Sequence, residues 1–380
     1  MWSEPNPFFA SASSVCAPSA RVSSSLLRAP IGFFAHSHGS GHLRRCQAIA
    51  DALEVPSVIF TGRAEGAEDP RVSLLPSDDW GSTGGRLREH AGPCNESLHD
   101  APLGVSGVQV RAAQIASWAA HGRARLLVVD VSVEVTLLAR LCGIPTAVVR
   151  MHGRRDDMPH VEAYRSASML LAPFSEEMEQ PETPEWIRQK TVYAGCLART
   201  RPASLQRARR ADERPVLLCV TGQGGERFEV EQLCALARVL KPWHVVVAGR
   251  TSAPAERALP ENLTLLGFTD ALHDWMQRAD VVMGSVGDNM VAEVAHHNKP
   301  FVCVPADRPF DEQRVKAQCL ERMGVAVCID GLDRVGCWPT LMERARSAPS
   351  AWHLLRTQGA PERAAGALEG LIRELQYVQG

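Results

Sequence analysis

The sequence predicts two α/β domains in tandem, each built on a doubly wound parallel β-sheet. From residue 31 onwards short apolar runs alternate with helical patterns, and this rhythm is typical of successive β-α-β units. The rhythm stops over residues 197–214, which are highly charged and hold no long apolar run, and then it restarts. A chain of 380 residues also exceeds what one ordinary hydrophobic core organises.

The first domain is expected over residues 31–198. Its predicted strands are the apolar runs IGFFA, SVIF, LLVVD, TAVVR and MLLAP, which begin at residues 31, 57, 126, 146 and 169. After the first run, the segment GHLRRCQAIADAL repeats apolar residues at helical spacing, and further helices are expected near 108–121 and 133–142. Residues 62–107 are rich in glycine, proline and aspartate and are expected to form loops.

The second domain is expected over residues 215–349, after a linker at 199–214. Its predicted strands are PVLLCV, HVVVAG, LTLLG, DVVMG, PFVCVP and VAVCI, which begin at residues 215, 244, 263, 280, 300 and 325. A helical segment is expected over 350–380, and residues 1–30 are expected to be disordered or poorly ordered. Ligands of such sheets bind at the carboxyl ends of the strands, so the cleft between the domains is the expected site.

The overall composition excludes several classes of protein. The formal charge of −2 gives no electrostatic reason to expect a nucleic acid partner. The eleven cysteines include no C-x-x-C pair, which indicates reduced thiols in a cytoplasmic-type compartment and no structural zinc site. No apolar stretch reaches the roughly 18 residues of a membrane-spanning helix. We therefore expect a cytoplasmic location, and peripheral contact with the inner face of the membrane stays open.

Two glycine-rich turns each link a predicted strand to a predicted helix. HSHGSGH at 36–42 lacks the GK[ST] of a P-loop and the third glycine of a dinucleotide fingerprint. VTGQGGER at 220–227 would leave the backbone amides between Gly222 and Gly225 open to a diphosphate. For both turns, plain tight-turn geometry is the alternative.

A third segment, residues 284–318, carries polar groups suited to a ligand with several hydroxyls. Glu293 lies six positions after Gly287, within two turns of the start of a predicted helix, where a carboxylate can accept both hydroxyls of a ribose. The acid and amide side chains of 311–313 begin the next helix and suit a sugar for the same reason. The alternatives are that Glu293 is a surface helix residue and that Asp311 is only an N-cap.

These residues resemble the GT-B glycosyltransferases, and most nearly their family 28 branch. The most specific part is Gly287-x-Asn289-x-x-x-Glu293, followed by Pro305 and then by Glu-Gln at 312–313, in the order of the family's donor-sugar motif. The Gly-His at 41–42 after the first strand is the second part. The resemblance implies two Rossmann-like domains that face each other across a cleft, with the acceptor on the N-terminal domain and a nucleotide-sugar on the C-terminal domain.

The resemblance also implies roles for individual positions. The implied donor-binding residues are Gly222, Gln223, Gly224, Gly225, Phe268, Thr269, Ser285, Gly287, Asp288, Asn289, Glu293, Glu312 and Gln313. In the family, the glycine turn and the amides around Gly287 take the diphosphate, and the pair at 268–269 lies against the base. Glu293 would hold the ribose, and the pair at 312–313 would hold the sugar. The sequence departs from the family at Ser285, Met290, Arg314 and Lys316, so the phosphate contacts and the sugar identity stay open.

His42 matches the family's general base, and its chemistry suits that role. Imidazole can be unprotonated at neutral pH and can take the proton of an attacking hydroxyl. Asp130, at the carboxyl end of LLVVD, is expected to orient His42, although a helix N-cap is the alternative for this residue. On the acceptor side, Gly41 would turn His42 towards the cleft. Arg150 and Arg154 would meet an anionic acceptor or lie in a solvated loop.

We expect neither a metal ion nor a cofactor. His36, His38 and His42 offer three nitrogen ligands, but the glycine turn interrupts their spacing, and ordinary loop histidines are favoured. No D-x-D pair stands where it could hold a diphosphate through a metal ion. The leaving diphosphate is instead expected on backbone amides at helix N-termini.

The sequence therefore predicts an inverting, metal-independent glycosyltransferase. The donor is a nucleotide-diphosphate sugar, with a UDP-sugar favoured, and the acceptor is a small molecule, a glycan or a lipid-linked group. One alternative is a nucleotide-sugar hydrolase in which His42 activates water, because the run from Gly39 to Cys46 resembles the G-x-G-H-x-x-R-C of pseudaminic-acid-pathway hydrolases. A second alternative is a GT-B module that binds a nucleotide-sugar without turnover.

Overall fold

The computed structural model describes residues 29–37, 41–64, 68–76, 96–122, 124–197, 214–221, 228–252, 258–348 and 350–378. The predictions for several segments lie outside these residues: 1–28, 199–213, His38, Gly39, and the turn Gly222, Gln223, Gly224 and Gly225.

The first sheet is parallel and has seven strands in the order β3-β2-β1-β4-β5-β6-β7. Its strands are β1 Ile31–Ala35, β2 Ser57–Thr61, β3 Val72–Leu74, β4 Leu126–Asp130, β5 Thr146–Val149, β6 Met169–Ala172 and β7 Thr191–Tyr193. The accompanying helices are α1 Gly41–Asp51, α2 Ser106–Gly122, α3 Val133–Leu141, α4 Met158–Ser166 and α5 Glu185–Gln189. The five longer strands stand where the sequence predicts them.

The second sheet is also parallel, with six strands in the order β10-β9-β8-β11-β12-β13. Its strands are β8 Val216–Val220, β9 His244–Ala248, β10 Leu263–Gly267, β11 Val281–Gly284, β12 Phe301–Cys303 and β13 Ala326–Cys328. The helices are α6 Val230–Val239, α7 Leu272–Arg278, α8 Asp288–His296, α9 Glu312–Arg322 and α10 Trp338–Ser347. Two doubly wound parallel sheets confirm the predicted fold class.

The prediction of loops over 62–107 is wrong at β3. This strand has only three residues, Val-Ser-Leu, which are too few to form an apolar run. Their side chains are partly buried or exposed. The strand is defined by its pairing with β2, in which Ile59 aligns with Val72. Pairing of this kind is a tertiary property and leaves little trace in local periodicity.

The final helix, α11 Ala360–Val378, returns to the first domain. Leu368 and Ile372 of α11 are buried in the same cluster as Leu43 and Ile49 of α1. Although α11 follows the second domain in the chain, hydrophobic packing against α1 holds it on the first domain. No helix among the described residues is long and apolar enough to span a membrane.

The sheet order places the candidate site. In the first sheet, β1 lies between β2 and β4, so the direction of winding changes beside β1. In the second sheet β8 has the same position between β9 and β11. The loops that follow β1, β4 and β11 therefore leave the carboxyl edges at such switch points, where ligands of α/β sheets bind.

Candidate active site

His42 and Asp130 meet at the carboxyl edge of the first sheet. Asp130 is the last residue of β4 and aligns with Ala35, the last residue of β1. His42 is the second residue of α1, which follows β1. His42 Nδ1 lies 3.0 Å from Asp130 Oδ1, and the Asp130 side chain is fully buried while that of His42 is 19% exposed.

The backbone next to Asp130 is strained. Val131 has a φ of 62°, a left-handed conformation that is a genuine outlier for a β-branched residue. The N-cap of α3 is Ser132, whose side chain accepts a hydrogen bond from the Val135 backbone N–H. Asp130 is therefore not the helix cap that the sequence left open as its alternative. Its carboxylate faces His42 instead.

Arg45 lies one helical turn after His42 and holds the same carboxylate. Its Nε donates to Asp130 Oδ2 over 2.9 Å, and its Nη2 donates to Oδ1 over 3.0 Å. Burial opposes ionisation of Asp130, but the charges of Arg45 and His42 and the hydrogen bonds from both outweigh it. The pKa of Asp130 therefore lies well below its usual range. Because a carboxylate only accepts, an unprotonated Nδ1 would face Oδ1 as a second acceptor 3.0 Å away. We therefore assign the imidazole proton to Nδ1 and the lone pair to Nε2, with Arg45 Nη2 donating to Oδ1 rather than to Nδ1, which lies 3.1 Å from it.

The guanidinium of Arg45 also reaches the second domain. Its Nη1 donates to Asp288 Oδ2 over 2.7 Å, and Asp288 is the first residue of α8, just past β11. Lys316 of α9 contacts the other oxygen, Oδ1, of the same carboxylate. Lys316 is 1% exposed. Burial lowers the pKa of Lys316, but the carboxylates of Asp288 and Glu312 outweigh this and raise it overall, so the ammonium stays charged.

A second contact between the domains joins residues 153–155 to the start of α9. Arg155 Nη2 donates to Glu312 Oε2 over 3.1 Å, and the Arg154 backbone N–H donates to the Phe310 carbonyl over 2.7 Å. Gly153 has a φ of 116°, and a Cβ there would stand 2.5 Å from the Phe310 carbonyl oxygen. Phe310 itself has a φ of 60°. Close approach and strain therefore coincide where the domains meet.

A cleft opens between α1 and α8. It is lined by Gly41, Arg44, Arg45, Ala48, Leu197, Asp288, Asn289 and Glu293. The structure thus brings together in this cleft four residues that the sequence singled out: Gly41, Asp288, Asn289 and Glu293. His42 is the next residue after Gly41 on α1. Glu293 Oε2 lies 3.7 Å from Nε2 of His297, the residue that caps the C-terminus of α8.

Other residues of the predicted donor site lie apart from this cleft. Phe268 is 60% exposed, with the Arg250 guanidinium 5.8 Å from its ring. The hydroxyl of Thr269 accepts from the Ala271 backbone N–H over 3.1 Å. Ser285 is partly buried between β11 and α8. Gln313 is 4% exposed, and its Oε1 accepts from the backbone N–H groups of Val286 and Ala306, each over 3.0 Å.

The two predicted acceptor-side arginines have different surroundings. Arg150 is 4% exposed and forms a buried ion pair with Glu179, with Nη1 3.2 Å from Oε1. Its guanidinium also stacks over Phe174, 5.3 Å from the ring centroid. Arg154 has a largely exposed side chain and lies 3.3 Å from Asp311. Of the two, Arg154 is therefore the one that an incoming anion can reach.

One group of side chains has the composition of a metal site. His99, Asp157 and His160 place one ligand atom each within 4.8 Å of the others. Arg155 Nη1 lies 3.0 Å from His160 Nε2. Because a guanidinium only donates, Nε2 accepts, and the His160 proton stays on Nδ1 and points to Asp157. Burial and the charge of Arg155 lower the pKa of His160 to about 4. The contacts with Arg155 and Asp157 therefore occupy both ring nitrogens of His160, which is a neutral imidazole.

Arg45 and Lys316 are the members of the site that sequence reasoning missed. The sequence marks Lys316 only as a departure from the family pattern and Arg45 only as part of a motif. One signal for Arg45 was present, because residues three apart on a helix share a face and Arg45 follows His42 at that spacing. Its partner Asp288 lies 243 positions away, which local patterns do not connect.

Comparison with known proteins agrees with this architecture. Residues 244–334 match the glycosyltransferase family 28 C-terminal domain. A relative from Sorangium cellulosum (strain So ce56) is 27% identical over 377 residues, which cover 88% of this chain and 86% of that protein. It is named UDP-N-acetylglucosamine--N-acetylmuramyl-(pentapeptide) pyrophosphoryl-undecaprenol N-acetylglucosamine transferase.

Two solved structures show the same fold. CalG4, the calicheamicin glycosyltransferase, is 17% identical with a TM-score of 0.63, and the match covers 92% of this chain and 99% of CalG4. MurG of Acinetobacter baumannii is 16% identical with a TM-score of 0.57, and the match covers 91% and 99% of the two chains. Both likenesses confirm the GT-B fold.

Proposed function

On the premise that this chain is a family 28-like glycosyltransferase of the GT-B fold, we propose that it transfers its sugar with inversion and without a metal ion. The donor is a nucleotide-diphosphate sugar, with a UDP-sugar favoured, and the acceptor is a hydroxyl. The observation that carries the proposal is the His42–Asp130 pair at the carboxyl edge of the first sheet, with Nδ1 and Oδ1 3.0 Å apart.

In the proposed reaction His42 acts as general base. Its Nε2 takes the proton of the acceptor hydroxyl while that oxygen attacks the anomeric carbon of the donor. The bond from the anomeric carbon to the diphosphate oxygen breaks, and the nucleoside diphosphate leaves with the electron pair. Asp130 keeps the proton on Nδ1 and stabilises the imidazolium that forms. A positioned base of this kind contributes about 10²–10⁴-fold to the rate.

The donor is proposed to lie along the start of α8. Glu293 lines the cleft and would accept the ribose hydroxyls. The leaving diphosphate would lie on the backbone N–H groups at the N-terminus of α8, which follows Gly287, and near the charge of Lys316. Such fixed groups stabilise charge as it develops. Glu312 would contact the sugar, and its carboxylate is oriented by Arg155.

The relative's name suggests one acceptor class to test, a pyrophosphoryl-undecaprenol-linked sugar. A small molecule or a soluble glycan remains the other possibility. The largely exposed side chain of Arg154, beside Asp311 of the second domain, would favour an anionic acceptor. For a lipid-linked acceptor, the protein would work in the cytoplasm in peripheral contact with the membrane.

A donor screen followed by product analysis tests this proposal. UDP-, dTDP- and GDP-sugars are compared by the thermal shift that each produces, with Glu293→Ala as the matched variant. We expect UDP-sugars to raise the melting temperature most and Glu293→Ala to abolish most of that shift. The anomeric configuration of the first-formed product, read by proton NMR, should be opposite to that of the donor. Retention of configuration would contradict the proposal.

A nucleotide-sugar hydrolase is the second candidate. The observation that favours it is that His42 and Arg45, both in the motif shared with such hydrolases, act on one carboxylate. Water would then replace the acceptor hydroxyl, with the same proton transfer to His42. Incubation with UDP-N-acetylglucosamine alone separates the two candidates, because rapid release of free sugar without an acceptor is expected only of a hydrolase.

A further inference from the structure

Six charged or titratable side chains form a continuous line of contacts between the two domains. In order they are His42, Asp130, Arg45, Asp288, Lys316 and Glu312. We propose that Arg45 and Asp288 are positioning residues, through which the second domain fixes the orientation of the general base on the first. This inference rests on the proposed role of His42.

The first step concerns the partners of Arg45. Its Nε and Nη2 are committed to Asp130, and its Nη1 is committed to Asp288. The residue is only 6% exposed, so water does not readily replace a lost partner. A buried guanidinium that loses one carboxylate must reorient, because an uncompensated buried charge is costly. The planar group is rigid, so a change at Nη1 is transmitted to Nε and Nη2.

The second step links Arg45 to the tautomer of His42. Asp130 Oδ1 accepts from both Arg45 Nη2 and His42 Nδ1, so the two donors divide one oxygen between them. Arg45 Nη2 also lies 3.1 Å from His42 Nδ1, and two donors at this distance require Oδ1 to stay between them. When the guanidinium turns, this acceptor is no longer held, and the proton of His42 is free to move to Nε2. That tautomer has no lone pair facing an acceptor hydroxyl.

The third step links Asp288 to the proposed sugar site. Lys316 lies between Asp288 and Glu312, with Nζ 3.7 Å from Glu312 Oε1. Glu312 is the carboxylate that we propose contacts the donor sugar. The position of the Asp288 carboxylate thus depends on the arrangement of the donor domain. Through its hydrogen bond with Nη1, that carboxylate fixes the orientation of the Arg45 guanidinium. His42 is therefore fully oriented only when the two domains are close enough for Arg45 to contact Asp288.

The roles of Asp288 can be separated by experiment. If Asp288 only binds the donor, Asp288→Asn raises the KM for the donor and leaves kcat and His42 unchanged. If it only joins the domains, the variant lowers the melting temperature and leaves the His42 tautomer unchanged. Positioning through Arg45 predicts a third pattern, in which the tautomer of His42 changes and kcat falls.

The direct test is nitrogen NMR of the full chain with ¹⁵N-labelled histidine. Signals of His42 are assigned by their loss in His42→Ala. In the wild type we expect the tautomer with a protonated Nδ1 and a bare Nε2. In Asp288→Asn we expect the two nitrogen shifts to move towards each other, as they do when tautomers mix. The matched control is Asp51→Asn, because Asp51 and Arg71 are also 2.7 Å apart but belong to one domain. An unchanged His42 tautomer in Asp288→Asn would overturn the inference.

A kinetic arm measures release of UDP from UDP-N-acetylglucosamine in the presence of a pyrophosphoryl-undecaprenol-linked sugar as acceptor, because transfer and hydrolysis then both release UDP. We expect Asp288→Asn to lower kcat about 10- to 100-fold, within the range that a positioned base contributes. In the His42→Ala background the same substitution should have less than a threefold effect, since its route runs through His42. Asp288→Glu, which keeps the charge, should recover part of kcat.

The outcomes distinguish the two proposals. If Asp288→Asn lowers kcat by the same factor in the wild type and in His42→Ala, the positioning role alone is overturned. Full activity of His42→Ala would instead overturn the proposed base. If Asp288→Asn does not fold, Arg45→Lys gives the same test, because lysine keeps the charge but cannot hold two carboxylates at once.

Discussion

Arg45 and Asp288 are joined across the cleft by a hydrogen bond of 2.7 Å, although they belong to helices of different domains. The same guanidinium donates twice to Asp130, the carboxylate that holds His42. The candidate base is thus part of a network that belongs to both domains.

Asp130→Asn should abolish most turnover without abolishing donor binding. Asparagine is similar in shape, but it presents Arg45 with a neutral partner and removes the charge that stabilises the imidazolium. We expect kcat to fall by about 10²–10⁴-fold. The Kd for UDP, measured by calorimetry, should change less than threefold. A variant with wild-type kcat would show that Asp130 has no part in the reaction.

Gln313 should prove to be a structural residue. Its Oε1 accepts from the backbone N–H groups of Val286 and Ala306. Gln313→Met keeps the length and leaves the buried Val286 N–H and the partly buried Ala306 N–H without their acceptor, and an unsatisfied buried group costs about 1–3 kcal/mol. We therefore expect lower stability in urea unfolding. Direct binding of the sugar by Gln313 would give the opposite pattern, with unchanged stability and a higher KM for the donor.

Gly153 should be needed for the contact between the domains. Alanine there has an unfavourable φ of 116° and a Cβ 2.5 Å from the Phe310 carbonyl oxygen. Gly104→Ala is the control, because Gly104 also has a positive φ, of 76°, but no atom lies within 4 Å of its Cβ position. Gly153→Ala should be less stable than Gly104→Ala by at least about 1 kcal/mol in chemical unfolding. Equal losses would mean that only the backbone conformation matters.

Stability should fall in acid partly through Glu179. Burial raises the pKa of this carboxyl, but the hydrogen bonds and charge of Arg150 outweigh it, with smaller contributions from Thr183 and Tyr193, and lower the pKa to about 2 from 4.5. A carboxyl with a depressed pKa in the folded state stabilises fully above its unfolded pKa. That stabilisation is lost as the pH falls from about 4.5 towards 2. Calorimetry across this window should show a falling melting temperature.

Glu179→Gln isolates that contribution. The variant should lose part of the acid dependence. At neutral pH it should also be less stable by about 3–5 kcal/mol, because Arg150 remains buried without its counter-charge. Glu176→Gln, at an exposed position in the short helical segment Glu176–Met178 that ends just before Glu179, should stay within about 0.5 kcal/mol of the wild type. An acid profile of Glu179→Gln identical to the wild type would rule out this residue as a source of the dependence.

Much of the fold followed from the sequence because long buried strands carry a strong local signal. LLVVD and HVVVA are almost entirely buried, and each was placed correctly. The three-residue strand β3 was missed because it is defined by its pairing rather than by apolar content. The meeting of His42 and Asp130 could be anticipated, since parallel strands place their carboxyl ends at one edge.

The rest of the site could not be predicted because it depends on contacts between distant segments. Lys316 is buried only because Asp288 and Glu312 neutralise it, and no local pattern shows that a lysine in a helix will be 1% exposed. Gln313 stands in the donor motif, yet its side chain points to two backbone amides that lie in separate loops. A motif fixes the type of a residue, whereas the tertiary fold decides which atoms it meets.

The most direct test of the central claim is to measure UDP binding and UDP release on the same preparation of His42→Ala. The account predicts that the Kd for UDP stays within about threefold of the wild type while the rate of UDP release from the sugar donor falls at least about 100-fold. Release at the wild-type rate would contradict the assignment of His42 as the base.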